Sequence, residues 1–193
     1  MQKINLDKAY RLLNHGPTIL VSSSFNGKQN IMAVAWNMPL DFDPPKICVV
    51  IDKNTYTREL IEASGTFAIN VPCVAQVSLV TKLGSSSGRE LNGTDKFAEN
   101  QLETFAAKHI AAPLLAGCVA WLECKIISEP HNQNTFDLFI AEVVAAYADE
   151  RVFSDGRWHF EGHDQEEYDK LRTIHHVAGG AFFATGVAIQ ANI

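Results

Sequence analysis

A chain of 193 residues, 47% hydrophobic and 20% charged, is long enough to bury a sizeable core and reads as one globular domain over residues 1–193. A formal net charge of −6 excludes a general binder of nucleic acid or anionic membranes, while leaving room for a local basic pocket that takes one phosphate. No apolar run is long enough to span a bilayer, and the polar start MQKINLDKAYRLLNHG lacks a signal-peptide core, so the expected setting is soluble and cytoplasmic.

The first predicted element is a short helix from Leu6 to Leu13, stopped by Gly16–Pro17. Segments 18–25 (TILVSSSF) and 29–36 (QNIMAVAW) flank Asn26–Gly27, a strong hairpin signal. Beyond Trp36 the apolar run breaks into Asn37-Met38-Pro39 and reaches the double proline Pro44–Pro45. Trp36, Met38, Leu40 and Phe42 are therefore expected in an irregular loop. KICVVID (46–52) predicts a third strand. The stretch KNTYTRELIEASG predicts a helix with Asn54 as N-cap, Leu60 and Ile61 on its apolar face and Gly65 at its C-terminal stop.

TFAINVP (66–72) is a fourth strand, and VAQVSLVTKLG carries Val74, Val77, Val80 and Leu83 at helical spacing up to Gly84. A Ser/Gly-rich polar loop follows over 85–97. Two longer strands, 118–127 and 135–147, are joined by the turn SEPHNQN, and 149–172 reads as a charged, aromatic excursion over the surface or across a partner. Short strands at hairpin spacing with brief helices between them predict a mainly β fold with α, an antiparallel sheet or barrel with helices outside.

Cys48, Cys73, Cys118 and Cys124 form no CxxC and lie in apolar surroundings, which suits buried reduced thiols; disulfides or thiolate metal sites are the alternative. His159 and His163 are four apart, but Gly162 lies between them and no glutamate is placed as in HExxH, so no metal is expected. P-loop, GxGxxG and GxSxG patterns are absent, and no residue stands out as a catalytic nucleophile or base.

Two stretches suit an anion. In the first, a strand turns through Lys53–Asn54 into a helix whose unpaired N-terminal amides attract negative charge. Thr55 and Thr57 add hydroxyls there, and Lys53 and Arg58 add charge. The second is Ser85-Ser86-Ser87-Gly88-Arg89, where small residues let amides approach a ligand and Arg89 can complete a charge-assisted pair. The bland alternatives are a capped surface helix and a solvated loop. Beside them lies flat apolar surface: Trp36, Met38 and the small-residue backbone from Met32 to Ala35 suit a ring system, with Asn37 and Asn70 at its edge. That combination fits an aromatic phosphorylated cofactor that carries the chemistry itself.

The pieces NIMAVAWNMP, PPKICVVIDKNTYTRELIEASGTFAINVP, SSSGRELNGTDKF and HHVAGGAFFATG, in that order over most of 17–186, resemble the flavin reductase-like, FMN-binding split-barrel family and its flavoredoxin-like branch. The resemblance implies a six-stranded antiparallel Greek-key split barrel with peripheral helices. It also implies a homodimer with FMN at or near the subunit interface. It implies that Ala33, Val34, Ala35, Trp36 and Asn37 line the isoalloxazine. The turn Asp52, Lys53, Asn54, Thr55 to Thr57 would hold the ribityl chain and phosphate, and Ser85 to Arg89 would help enclose them.

One departure stands out. Many nicotinamide-dependent members carry Gly-Asp-His entering the long late strand; this chain has Asn134-Thr135-Phe136-Asp137. The expectation is therefore a flavin-dependent oxidoreductase moving electrons or hydride through bound FMN, with NAD(P)H or a redox protein as donor. The rival readings are an NAD(P)H-dependent FMN reductase that supplies reduced flavin and a non-catalytic FMN-binding module.

Overall fold

The computed structural model describes residues 17–191; the predicted helix from Leu6 to Leu13 lies outside them. The strands are β1 (Ile19–Phe25), β2 (Lys28–Val34), β3 (Asn37–Phe42), β4 (Pro45–Val50), β5 (Thr66–Val71), β6 (Thr104–Ala106), β7 (Pro113–Leu115), β8 (Ala120–Ile127), β9 (Leu138–Ala148), β10 (Phe153–Ser154), β11 (Arg157–Trp158), β12 (Ile174–Ala178) and β13 (Ala181–Ala184). The helices are α1 (Tyr56–Ser64), α2 (Val77–Gly84), α3 (Lys96–Glu99), α4 (Pro130–Phe136) and α5 (Gln165–Leu171). The main sheet runs β2-β1-β5-β8-β9-β4-β3 and every pairing is antiparallel.

That order forces the sheet to curl. β2 and β3 stand at opposite edges, yet only Ala35 and Trp36 separate them in sequence. So short a link spans about 10 Å at most, so the two edges must meet. Trp36 O accepts from Val50 N at 3.0 Å, which extends the β3–β4 ladder back into that link. The result is a barrel split beside Ala35–Trp36: six strands from β2 to β4 form its wall, and β3 adds a seventh at the edge. The β4–β5 connection crosses the barrel through α1, which puts β1 beside β5.

Alternate residues of the six strands fill the interior, among them Val21, Val49, Phe67 and Phe139, all fully buried. A second layer covers the outside of β1 and β2, where Leu20 and Ile31 pack under Val80 and Leu83 of α2. Burial of side chains of this size contributes about 1.5–3 kcal/mol each. Buried on both faces, these strands read as near-continuous apolar runs.

Several sequence expectations need correction. Residues 37–42 are a strand and not an irregular loop. β3 pairs with β4 from Asn37↔Val49 to Phe42↔Pro45, with a bulge between Pro39 and Asp41. Proline is tolerated because β3 is an edge strand, so Pro39 needs no second hydrogen-bonding neighbour. The helix cap is Thr55, whose Oγ1 accepts from Arg58 N at 3.4 Å, and not Asn54, whose backbone N and Nδ2 both donate to Asp52 Oδ1. Gly65 stops α1 as expected, in the left-handed region at φ 70°.

The helical pattern from Val74 divides into a 3-10 turn, Val74–Gln76, and α2. The turn read at 128–134 contains α4, which starts on a proline and takes Thr135 and Phe136 away from the predicted strand. Segment 149–172 is more than an excursion, because Val152, Phe160 and Leu171 join the barrel core. All four cysteines are buried free thiols. Among the described residues no helix is long and apolar enough to cross a membrane, and no cluster of His, Cys, Asp or Glu could hold a metal ion.

Candidate functional site

Three cavities meet at Ala33 on β2. The smallest, 170 Å³, is polar: it lies between the N-terminus of α1 (Asn54–Thr57), the loop Ser86–Gly88 and Asn30 of β2. A second, 320 Å³, runs along Met32–Trp36 to Val50, Asp52, Phe136 and Asp137. The third, 440 Å³, also follows Ala33–Ala35 and is roofed by the β12–β13 hairpin through His176, Gly179 and Phe182. The shared lining makes one trough, with a small polar end and a long wall of small residues. Gly84 is what lets α2 close on that wall, since a Cβ there would come within 3.2 Å of Ala33 Cβ.

The polar end is built by the α1 entry. Thr55 Oγ1 donates to Asp52 O at 2.8 Å, which fixes the turn. The first amides of the helix, at Tyr56 and Thr57, have no acceptor in the helical ladder and carry the positive end of its dipole. Opposite them, Ser85 and Ser86 hydroxyls both donate to Lys82 O at 3.2 Å, and Ser87 Oγ accepts from Arg89 N at 3.3 Å. These bonds hold the serine loop against the cavity, with Ser86 and Ser87 in its lining and Ser85 in that of the 440 Å³ cavity.

Asn30 forms the floor. Its Nδ2 donates to Thr57 Oγ1 at 2.8 Å, and both residues are buried. Asn30 Oδ1 is buried with no hydrogen-bond partner among the described residues. A Cβ on Gly88 would collide with that oxygen, so Gly88 is glycine because the Asn30 amide fills the space. An orphaned buried polar atom costs about 1–3 kcal/mol, a cost that a polar ligand in the cavity would offset.

The cations turn elsewhere. Arg58 is buried beneath α1: Nε donates to Glu62 at 2.7 Å, Nη1 to Ile51 O at 3.1 Å and to Asp137, and Nη2 to Gln133 O at 2.8 Å. Burial pulls its pKa down, but Glu62 and Asp137 outweigh that and hold it above the ordinary arginine value. Arg89 points away from the small cavity, into a 590 Å³ hollow beyond Tyr56 and Gly88, where it pairs with Glu59 and donates to Asn54 O at 3.2 Å. Lys53 is exposed on the turn.

Of the other sequence candidates, Ala33, Val34, Ala35, Trp36 and Asp52 line the trough, as do Asn54, Thr55, Thr57 and Gly88. Asn37 Nδ2 donates to Pro17 O at 2.9 Å, and Met38 lies on exposed β3; neither lines the three cavities. Asn70 is fully occupied elsewhere, donating to Leu20 O and Ser22 Oγ and accepting from Leu115 N at 2.7 Å. It stitches β1 to the β7 region and does not reach the trough. Sequence reasoning left out Asn30, Thr18, Phe136, Asp137 and Phe182 as lining, and assigned His176 no role. Asn30 gave little signal, because it follows Lys28 and Gln29 in the polar first half of β2.

His176 N donates to Thr18 Oγ1 at 2.9 Å, and its Nε2 lies 3.0 Å from Gly179 O. The ring stands edge-on to Phe182, with centroids 5.3 Å apart. These contacts fix the hairpin that roofs the larger cavity.

The fold and the site together make a split barrel with a polar cavity at a helix N-terminus and a flat wall of small residues. Residues 10–177 match the flavin reductase like domain, and the chain belongs to that family. It is 42% identical over 191 residues to the uncharacterised protein YddH of Escherichia coli K12, covering 97% of this chain and 96% of that one. Among solved structures it is similar to an FMN-binding domain of a flavin reductases-like enzyme from Shewanella baltica OS155, with TM-score 0.84, 48% identity, and 98% and 96% of the two chains covered. Flavoredoxin of Desulfovibrio vulgaris (Miyazaki F) superposes with TM-score 0.78 at 26% identity, over 98% and 97% of the chains.

Proposed function

We propose that this protein binds FMN and transfers electrons or hydride through it, as a flavoredoxin-like oxidoreductase. The observation that carries the reading is the convergence of the α1 N-terminus, the Ser86–Gly88 loop and the orphaned Asn30 amide on one cavity that opens along Ala33–Trp36. The fit is chemical: helix amides and small polar side chains suit a phosphate, and an apolar wall of small residues suits a flat ring. Tyr56, Thr57 and the serine loop would hold the phosphate end, while Ala33–Trp36 would orient the ring and shield one face from water. The flavin, when bound, supplies the redox chemistry.

The donor side favours a carrier over a nicotinamide-dependent reductase. Where the resemblance leads one to expect Gly-Asp-His, α4 ends in Phe136, which lines the 320 Å³ cavity, and Asp137 is held by buried Arg58. A homodimer belongs to the same proposal. Trp36, Met38, Leu40 and Phe42 are 51%, 55%, 47% and 91% exposed along edge strand β3 and the residue that precedes it, apolar surface next to the trough. The test is the visible spectrum of the purified, desalted protein, followed by anaerobic NADH and NADPH. Flavin bands that persist until dithionite is added support the carrier. Prompt bleaching by either nucleotide supports an FMN reductase, and a protein that stays colourless after FMN is added overturns both.

A further inference from the structure

The Asn30–Thr57 pair has a property that the rest of the cavity lacks. Asn30 sits on β2 with its side chain buried, one end bonded to Thr57 and the other turned to Gly88 on the cavity wall, with no partner among the described residues. Its neighbour Thr57 stands at the second position of α1, the turn whose free amides face the same space. A carboxamide keeps its outline when turned end for end, and a hydroxyl can accept or donate. The pair therefore has two states. In one, Nδ2 donates to Thr57 Oγ1 and the cavity sees an acceptor; in the other, Thr57 donates to Oδ1 and the cavity sees two N–H donors. With the cavity empty the first state costs less, because it leaves one acceptor without a partner and not a pair of N–H donors. An anion in the cavity favours the second state, because it meets both N–H groups.

We propose that Asn30 is a phosphate-recognising residue of this site, its amide turning to present Nδ2 to the anion while Thr57 donates back to Oδ1. This rests on the FMN reading and deepens it: the small cavity selects a phosphorylated flavin over its dephosphorylated counterpart through a neutral side chain, with the arginines engaged elsewhere. Gly88 is part of the device, since any side chain there would displace the amide.

The test compares binding of FMN and of riboflavin to the full-length apoprotein, by flavin fluorescence, for wild type, Asn30→Asp and Gly88→Ala, with melting temperatures recorded for each. In Asn30→Asp, Thr57 can still donate to one carboxylate oxygen, but a negative charge faces the phosphate. FMN affinity should fall about 100-fold, since like charges brought together cost several kcal/mol. Riboflavin affinity should change less than about threefold. Gly88→Ala should weaken FMN about tenfold, the worth of one hydrogen bond to a charged group, with the same indifference to riboflavin. It decides the matter on its own if Asn30→Asp does not fold. Equal losses for FMN and riboflavin, or variants that bind FMN like wild type, overturn the inference and leave the FMN reading standing. A wild-type protein that binds neither flavin removes both.

Discussion

The two walls of the small cavity look alike in sequence, each a helix end with hydroxyls, a small-residue turn and nearby positive charge, but they treat their buried cations in opposite ways. Beneath α1, Arg58 has two carboxylates, two carbonyls and the face of Phe139, with its guanidinium carbon 5.1 Å from the ring centre. Beneath the C-terminal end of α2, Lys96 is as deeply buried and donates to Leu83 O at 2.7 Å. Burial raises the cost of either charge; only Arg58 meets carboxylates that offset it. Arg58 is accordingly held charged, whereas burial lowers the Lys96 pKa to about 8. The comparison teaches that a cation near an anion site need not face it. Here one clamps α1 to the α4–β9 junction and the other caps α2, and the cavity is left to backbone and neutral side chains.

The comparison can be broken most forcefully at Arg58. Arg58→Met strands Asp137 and frees the end of α4, and should cost about 3–5 kcal/mol of stability, read by chemical denaturation. A loss under about 1 kcal/mol would make the clamp no better than a surface pair. Lys96 sharpens the contrast through pH. Its folded pKa of about 8 lies below the ordinary 10.5, so between those values the unfolded chain holds more protons than the folded one. Stability of wild type relative to Lys96→Met should then rise across that window, by at most about 3 kcal/mol, as the penalty for a buried ammonium is lifted. A flat difference between the two proteins would mean that Lys96 stays charged when folded. The smallest effect belongs to Arg89. Half exposed and paired with exposed Glu59, it should cost less than about 1 kcal/mol in stability when changed to alanine, and shift FMN binding less than about threefold. A tenfold loss of FMN in a titration would put Arg89 at the phosphate after all.

Most of the secondary structure was legible because its signals are local. The Asn26–Gly27 hairpin, the Gly65 stop and the near-continuous apolar runs of β4 and β5 all act within a few residues. The errors occur where a distant partner decides. Residues 37–42 carry a loop's composition, yet β4 provides a ladder on one side and the sheet edge excuses the proline. Thr135 and Phe136 have strand character, but they finish a helix whose left-handed cap, Asp137, is tied down by Arg58 from 79 positions away.

For the site, the sequence by itself determined which chemical groups are present: two anion-suited turns and a small-residue wall, each written in contiguous residues. Only the tertiary structure decided that the turns face each other across Asn30, that Arg58 and Arg89 point away, and that Asn70 serves the sheet. The physical reason is that backbone amides and glycines act where their own segment puts them. A long or polar side chain goes instead to whichever distant partner best compensates its burial, and that partner is chosen by the fold.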